Sequence, residues 1–347
     1  MALIHIDNVE PGMVLKKDVE NIQSGIILLK SGTVLNKKNI IHIKNNGIEY
    51  IDILEKVSHK KDYVLIQDEK FCKAHKKLVH KTKDILNNVR LGKKIIITEI
   101  SDTVDNIVEE LIKNNNILGR LRRLKENDDY TFSHSLNVSM LATMVGKWLN
   151  YSKVELKQLA LAGLFHDIGK MKIPQDIINK PGKLTEKEFE IIKKHTIYGY
   201  NILNNTIGIS KNIALGALQH HEREDGSGYP LRVKSEKIHE FAKIIAVCDI
   251  FDAMTSDRVY KEKESPFTVA ELINNNSFGV LDPRISFLFL NNISKFYVGN
   301  IVKLSTYEIG EIVYVHRELP TRPVVKVDEK YVDLLKEKNI HIIDVID

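Results

Sequence analysis

Five histidines and two aspartates, His134, His166, Asp167, His195, His220, His221 and Asp249, fall near the ends of helix-compatible stretches or on otherwise apolar faces. A polar ring buried there without a partner would cost roughly a few kcal/mol. Any one of these residues, taken alone, reads as a satisfied core residue; seven in one segment point to a common partner. Imidazole and carboxylate donors without thiolates suit borderline divalent cations, which favours iron or manganese over a structural zinc. Two ions sharing Asp167 account for the count, one taking His134, His166, Asp167 and Asp249, the other Asp167, His195, His220 and His221. Water held between two cations loses its proton near neutral pH and can attack a clamped phosphate in line, so the reaction class is phosphoester hydrolysis. Lys170 lies three residues beyond Asp167, and Arg258 and Lys261 lie beyond Asp249. Such cations would offset phosphate charge, Arg258 through its bidentate fork.

These side chains need helices to place them. Leu156, Leu159, Leu161, Ala162 and Leu164 repeat at helical spacing before His166-Asp167, and Gly169 and Pro174 stop the run, so the pair belongs at a helix C-terminus. A helix over about Thr131 to Leu149 carries His134. Thr185-Glu186-Lys187-Glu188 is a capping-box pattern that should open a helix bearing His195 on the face of Ile191 and Ile192. A helix over about Ile213 to His221 ends in the His220-His221 pair. The Gly-rich loop through Asp225-Gly226-Ser227-Gly228-Tyr229-Pro230 follows, and a helix over about Ile238 to Met254 holds Asp249.

The 347 residues, 43% hydrophobic and 28% charged, allow several domains and a large core. Residues 1–56 read as a small α+β module of short strands and tight turns, 57–125 as a Lys-rich helical linker, 126–295 as the helical domain with the chemistry, and 296–347 as a β-rich extension. Arg317 and Arg322 in that extension read as surface charge, and the basic run from Lys73 to Lys83 as a solvated helix face. No apolar run approaches the roughly 20 residues that span a bilayer. The start lacks a secretory pattern, and only Cys72 and Cys248 are present. The expectation is a cytoplasmic protein with reduced thiols and no membrane association. A net charge of +5 over this length does not call for a nucleic-acid polymer as partner.

His166-Asp167-Ile168-Gly169-Lys170, His220-His221-Glu222, Asp225-Gly226-Ser227-Gly228-Tyr229-Pro230 and the stretch from Asp249 to Arg258 together resemble the signature of the HD-GYP domain, a branch of the HD phosphohydrolase superfamily. The resemblance covers about 126–295. It implies an all-helical HD fold, a centre of two or three metals, and hydrolysis of cyclic di-GMP to linear pGpG and often on to GMP. It further implies that Lys170, Arg258 and Lys261 contact substrate phosphate. Gly228-Tyr229-Pro230 should then lie beside the site, take part in substrate binding and also serve partner binding. Members with a third metal are expected to carry Glu four residues before the first ligand histidine; here Tyr130 stands there, and a phenol with a reference pKa of about 10 is a poor ligand at pH 7. Two ions per chain are therefore expected. A sensor that binds the messenger without turnover, or an HD hydrolase of another nucleotide, stays open as an alternative, as do a homodimer and a protein partner for the N-terminal module.

Overall fold

The computed structural model describes residues 2–9, 13–21, 27–29, 33, 35, 37–54, 75–113, 130–256, 264–276 and 279–346. The chain forms two compact units, Met1–Ala74 and His75–Asp347.

The first unit contains β1 (Ala2–His5), β2 (Val14–Leu15), β3 (Val19–Glu20), β4 (Ile27–Leu29), α1 (Lys37–Asn45) and β5 (Tyr50–Leu54). An antiparallel sheet runs in the order β1-β5-β2, and β3 pairs with β4. Ile40 and Ile43 of α1 are buried three residues apart, as the helical repeat requires, and pack into one cluster with Leu15, Leu35, Ile51 and Ile53.

The second unit is helical and ends in a sheet. Helix α2 covers 75–90 and buries Leu78, Ile85, Leu86 and Val89, while Lys76 and Lys77 are exposed. It is followed by α3 (Thr98–Lys113), α4 (Tyr130–Trp148), α5 (Lys153–Phe165), α6 (Glu186–Lys193), α7 (His195–Asn204), α8 (Lys211–Gln219), α9 (Glu240–Thr255), α10 (Pro266–Asn276) and α11 (Pro283–Ile293). None of the described helices is long and apolar enough to cross a membrane. Helix α4 buries Leu136, Val138, Met140, Leu141 and Val145, and α5 buries Leu156, Leu159, Leu164 and Phe165. Each large side chain of this kind contributes about 1.5–3 kcal/mol by leaving water. The α4–α5 pair, with α8 and α9 packed on it, makes the frame for the histidines. Capping boxes at Ser152/Glu155 and Thr185/Glu188 start α5 and α6. Helix α3 is tied to this frame by the Lys147 ammonium, which donates to the Leu111 and Ile112 carbonyls at 3.0 and 2.9 Å.

The tail forms the antiparallel sheet β10-β6-β7-β8-β9 from β6 (Ile301–Leu304), β7 (Ile309–Tyr314), β8 (Val324–Val327), β9 (Lys330–Asp333) and β10 (Ile342–Ile346). Alternation buries Val302, Leu304, Ile312, Val325 and Val327, and Phe267 of α10 joins that core. Arg317 is exposed, but Arg322 is not the surface charge that composition suggests. Its Nε pairs with Glu271 of α10 at 2.8 Å and its Nη1 donates to the Ile340 carbonyl at 2.6 Å. Partners so distant in the chain leave no local mark in sequence.

Candidate metal centre

Three imidazoles are set by one device. His166 closes α5, and its Nδ1 lies 2.7 Å from the Gly163 carbonyl. His220 closes α8, with Nδ1 2.9 Å from the Ala217 carbonyl. His195 stands where α6 gives way to α7, with Nδ1 2.7 Å from the Ile192 carbonyl. The single helix expected to carry it is thus split, because the Lys194 N–H bonds back to Ile191 and Ile192 and tightens the last turn. In each case the acceptor lies in the final helical turn, where carbonyls lack the next turn's donors. A carbonyl only accepts, so Nδ1 carries the proton and Nε2 keeps a lone pair.

Those lone pairs converge. Nε2 of His195 and Nε2 of His220 are 3.4 Å apart, and neither has a proton to give the other. Asp167, in the turn after His166, sends Oδ1 to within 3.3 Å of His195 Nε2 and 3.8 Å of His220 Nε2. Its Oδ2 lies 3.3 Å from His166 Nε2 and contacts the Lys170 ammonium. Gly169 makes this approach sterically feasible, since a Cβ there would fall 1.8 Å from the His195 carbonyl oxygen. One donor atom each from Asp167, His195, His220 and His221 lie within 4.8 Å of one another, and the same holds for His134, His166 and Asp167. His166 Nε2 and Asp167 Oδ1 are buried with no hydrogen-bond partner. Facing lone pairs and an ionised carboxylate repel unless a cation lies among them, so the donor set fits divalent metal binding.

His134 reaches the cluster from α4 and is held between two carboxylates of α9. Its Nδ1 is 2.8 Å from Asp252 Oδ2, and its Nε2 is 3.1 Å from Asp249 Oδ1, which also lies 3.9 Å from His166 Nε2. Asp252 is buried and also accepts from Asn137 Nδ2 at 2.9 Å. It orients His134 as a carboxylate behind a ligand imidazole does. Sequence reasoning passed over Asp252, although its spacing of three from Asp249 puts both carboxylates on one helix face.

The protonation states suit ligation. Burial drives His195 down to about 4, against partial opposition from Asp167, and His221 down to about 3. Burial and the neighbouring imidazoles hold His220 well below its ordinary range. Burial alone would raise Asp167, yet the Lys170 ammonium holds it well below the usual carboxylate range, and His134 does the same for Asp249. For His134, burial opposes the charge but the bonds to Asp249 and Asp252 outweigh it and raise the ring to about 9. A cation at Nε2 would take the place of that proton.

The structure therefore brings together all seven donors expected from sequence, with Lys170 against Asp167. Tyr229 stacks on His221 with ring centroids 4.7 Å apart and an interplanar angle of 29°, and Gly228 of the same loop is buried. Tyr130 opens α4, while its side chain, like Arg258 and Lys261, lies outside what the structure describes.

A family model described as HD domain matches residues 102–285. The chain is 36% identical over 245 residues to the cyclic di-GMP phosphodiesterase PA4108 of Pseudomonas aeruginosa, a match covering 70% of this chain and 58% of that protein. It is 42% identical over 181 residues to the cyclic di-GMP phosphodiesterase response regulator RpfG of Xanthomonas campestris pv. campestris, covering 52% of this chain and 47% of that one. The chain thus spans about half the length of these curated relatives. Among solved structures, Bd1817, an HDG"Y"P protein from Bdellovibrio bacteriovorus, superposes with a TM-score of 0.55 at 15% identity, covering 85% of this chain and 99% of that one. At that identity the likeness speaks for the fold.

Proposed function

The chain belongs to the HD-domain family, and from that premise we propose that it is a metal-dependent phosphodiesterase that hydrolyses cyclic di-GMP to linear pGpG. The observation that carries this reading is Asp167, whose Oδ1 faces the His195 and His220 imidazoles while its Oδ2 faces that of His166. That is the disposition a carboxylate shared by two ions needs. The similarity to proteins named cyclic di-GMP phosphodiesterases supports the choice of substrate.

Two divalent ions, iron or manganese, would be held by His134, His166, Asp167 and Asp249 and by Asp167, His195, His220 and His221. Bound there, they supply Lewis acidity toward the phosphate and lower the pKa of the attacking water. The protein's own groups do the rest. Lys170, drawn against Asp167, stands ready to meet phosphate charge, and the resemblance assigns the same task to Arg258 and Lys261. Phe189 is 46% exposed beside Tyr229, with the Lys193 ammonium 5.0 and 5.7 Å from the two ring centroids. This shelf suits a guanine base, and base–aromatic stacking is worth about 1–3 kcal/mol.

Catalysis is assigned to 126–295, with 1–56 as a docking or regulatory module and the Gly228-Tyr229-Pro230 loop as a surface that a protein partner can also use. The cytoplasm is the compartment this reading assigns. Incubating manganese- or iron-loaded protein with cyclic di-GMP and separating the nucleotides tests it, with pGpG as the expected product and any GMP visible in the same trace. Binding without turnover would favour a sensor, and turnover of other nucleotides alone would favour a different HD hydrolase.

A further inference from the structure

Three of the ligand imidazoles are oriented by Nδ1 bonds to helix carbonyls, and His134 by Asp252. Among the described residues the His221 ring makes no such bond. Besides the neighbouring rings of His220 and His195, with centroids 4.1 and 5.2 Å away, what touches it is the loop that follows. The Tyr229 ring is stacked on His221, the Tyr229 N–H donates to the His221 carbonyl at 3.2 Å, and Gly228 lies so close that a Cβ would fall 2.5 Å from the same carbonyl oxygen.

The loop in turn is fastened by the residue next to His221. Glu222 is 3% exposed, and its carboxylate accepts three backbone N–H groups, from Leu231 at 2.6 Å and from Arg232 and Val233 at 3.2 Å each. Arg232 has φ 53°, a left-handed conformation that a branched chain of contacts must hold in place for a residue other than glycine.

We propose that Glu222 is a positioning residue for metal binding. By clamping Leu231, Arg232 and Val233 it closes the intervening loop on His221, so that the Tyr229 ring fixes the imidazole plane for the ion shared with Asp167, His195 and His220. The idea rests on the metal reading of the site and is independent of which substrate is cleaved. It also gives anything that grips the loop, a protein partner included, a mechanical route to one of the two ions.

Glu222→Gln keeps the size of the side chain but offers one acceptor oxygen to three donors. In metal-free protein, amide exchange at Leu231, Arg232 and Val233 should quicken. Affinity for Mn(II), measured by chelator competition, should fall about ten- to a hundredfold for one ion and stay unchanged for the other, the range typical of outer-sphere changes. Tyr229→Leu, which removes the stacked ring and leaves the clamp, should weaken the same ion without quickening exchange at 231–233. The proposal is overturned if Glu222→Gln loosens the loop while both Mn(II) affinities hold, or if Tyr229→Leu binds both ions as the wild type does. Wild-type protein that takes up no Mn(II) would instead overturn the metal reading itself.

Discussion

Replacing Asp252 by Asn probes the support behind His134 without touching a metal donor. The carboxylate now offers Oδ2 to His134 Nδ1 at 2.8 Å and Oδ1 to Asn137 Nδ2 at 2.9 Å and Ser256 Oγ at 3.3 Å. An amide has one acceptor oxygen. If that oxygen keeps the His134 bond, the charge behind the ring is lost; if the amide nitrogen turns to His134 instead, the imidazole proton moves to Nε2, where the ion must bind. Either outcome costs about ten- to a hundredfold in metal affinity, equivalent to about 1.4–2.8 kcal/mol. Chelator competition with Mn(II), read with metal content after dialysis, should show one ion weakened and the other retained. The elevated titration of His134 in metal-free protein, about 9, should fall in the variant and can be followed by NMR. Unchanged affinity and unchanged stoichiometry would refute the role of Asp252.

Gly169→Ala should be severely destabilising and should lose metal, because its Cβ would fall 1.8 Å from the His195 carbonyl oxygen and backbone must move; normal melting and full metal content would contradict the packing argument. Phe189→Ala should raise KM for cyclic di-GMP roughly tenfold, as loss of one stacked base implies, and leave metal content unchanged; an unaltered KM would mean that the base lies elsewhere. For metal-free protein, stability should peak near neutrality. His195 and His221, depressed to about 4 and 3 from about 6.5, favour the fold above 6.5, and that contribution is lost as pH falls toward those values. His134, raised to about 9, favours the fold below 6.5 and loses its contribution as pH rises through 9. Urea unfolding across this range should give a dome, and a flat profile would count against these environments.

The clustered histidines were legible because their chemistry sits beside local punctuation. His166 follows an apolar helical run and precedes Gly169 and Pro174, and the α6 start shows its capping box, so the helix ends could be read with the clustered residues on them. The outer contacts were not legible. Asp252 and Glu222 look like ordinary polar residues of a helix and a loop until folding brings Asn137 and His134, or the 231–233 amides, against them. Arg322 is the same case, since Glu271 and Ile340 reach it only through tertiary packing. The split at His195 escaped the periodicity because Ile191 and Ile192 keep the helical spacing up to the break.

The claim on which the account turns is that Asp167 is shared by two ions and that Tyr130, a phenol and so a poor ligand at pH 7, holds no third. Anomalous scattering from crystals of anaerobically purified, metal-loaded protein counts the ions and identifies their ligands directly. The account predicts two peaks per chain, about 3.5–4 Å apart as in two-metal sites, with Asp167 between them, His134, His166 and Asp249 on one and His195, His220 and His221 on the other. A single peak, two peaks without Asp167 as a common ligand, or a third peak ligated by Tyr130 would contradict it.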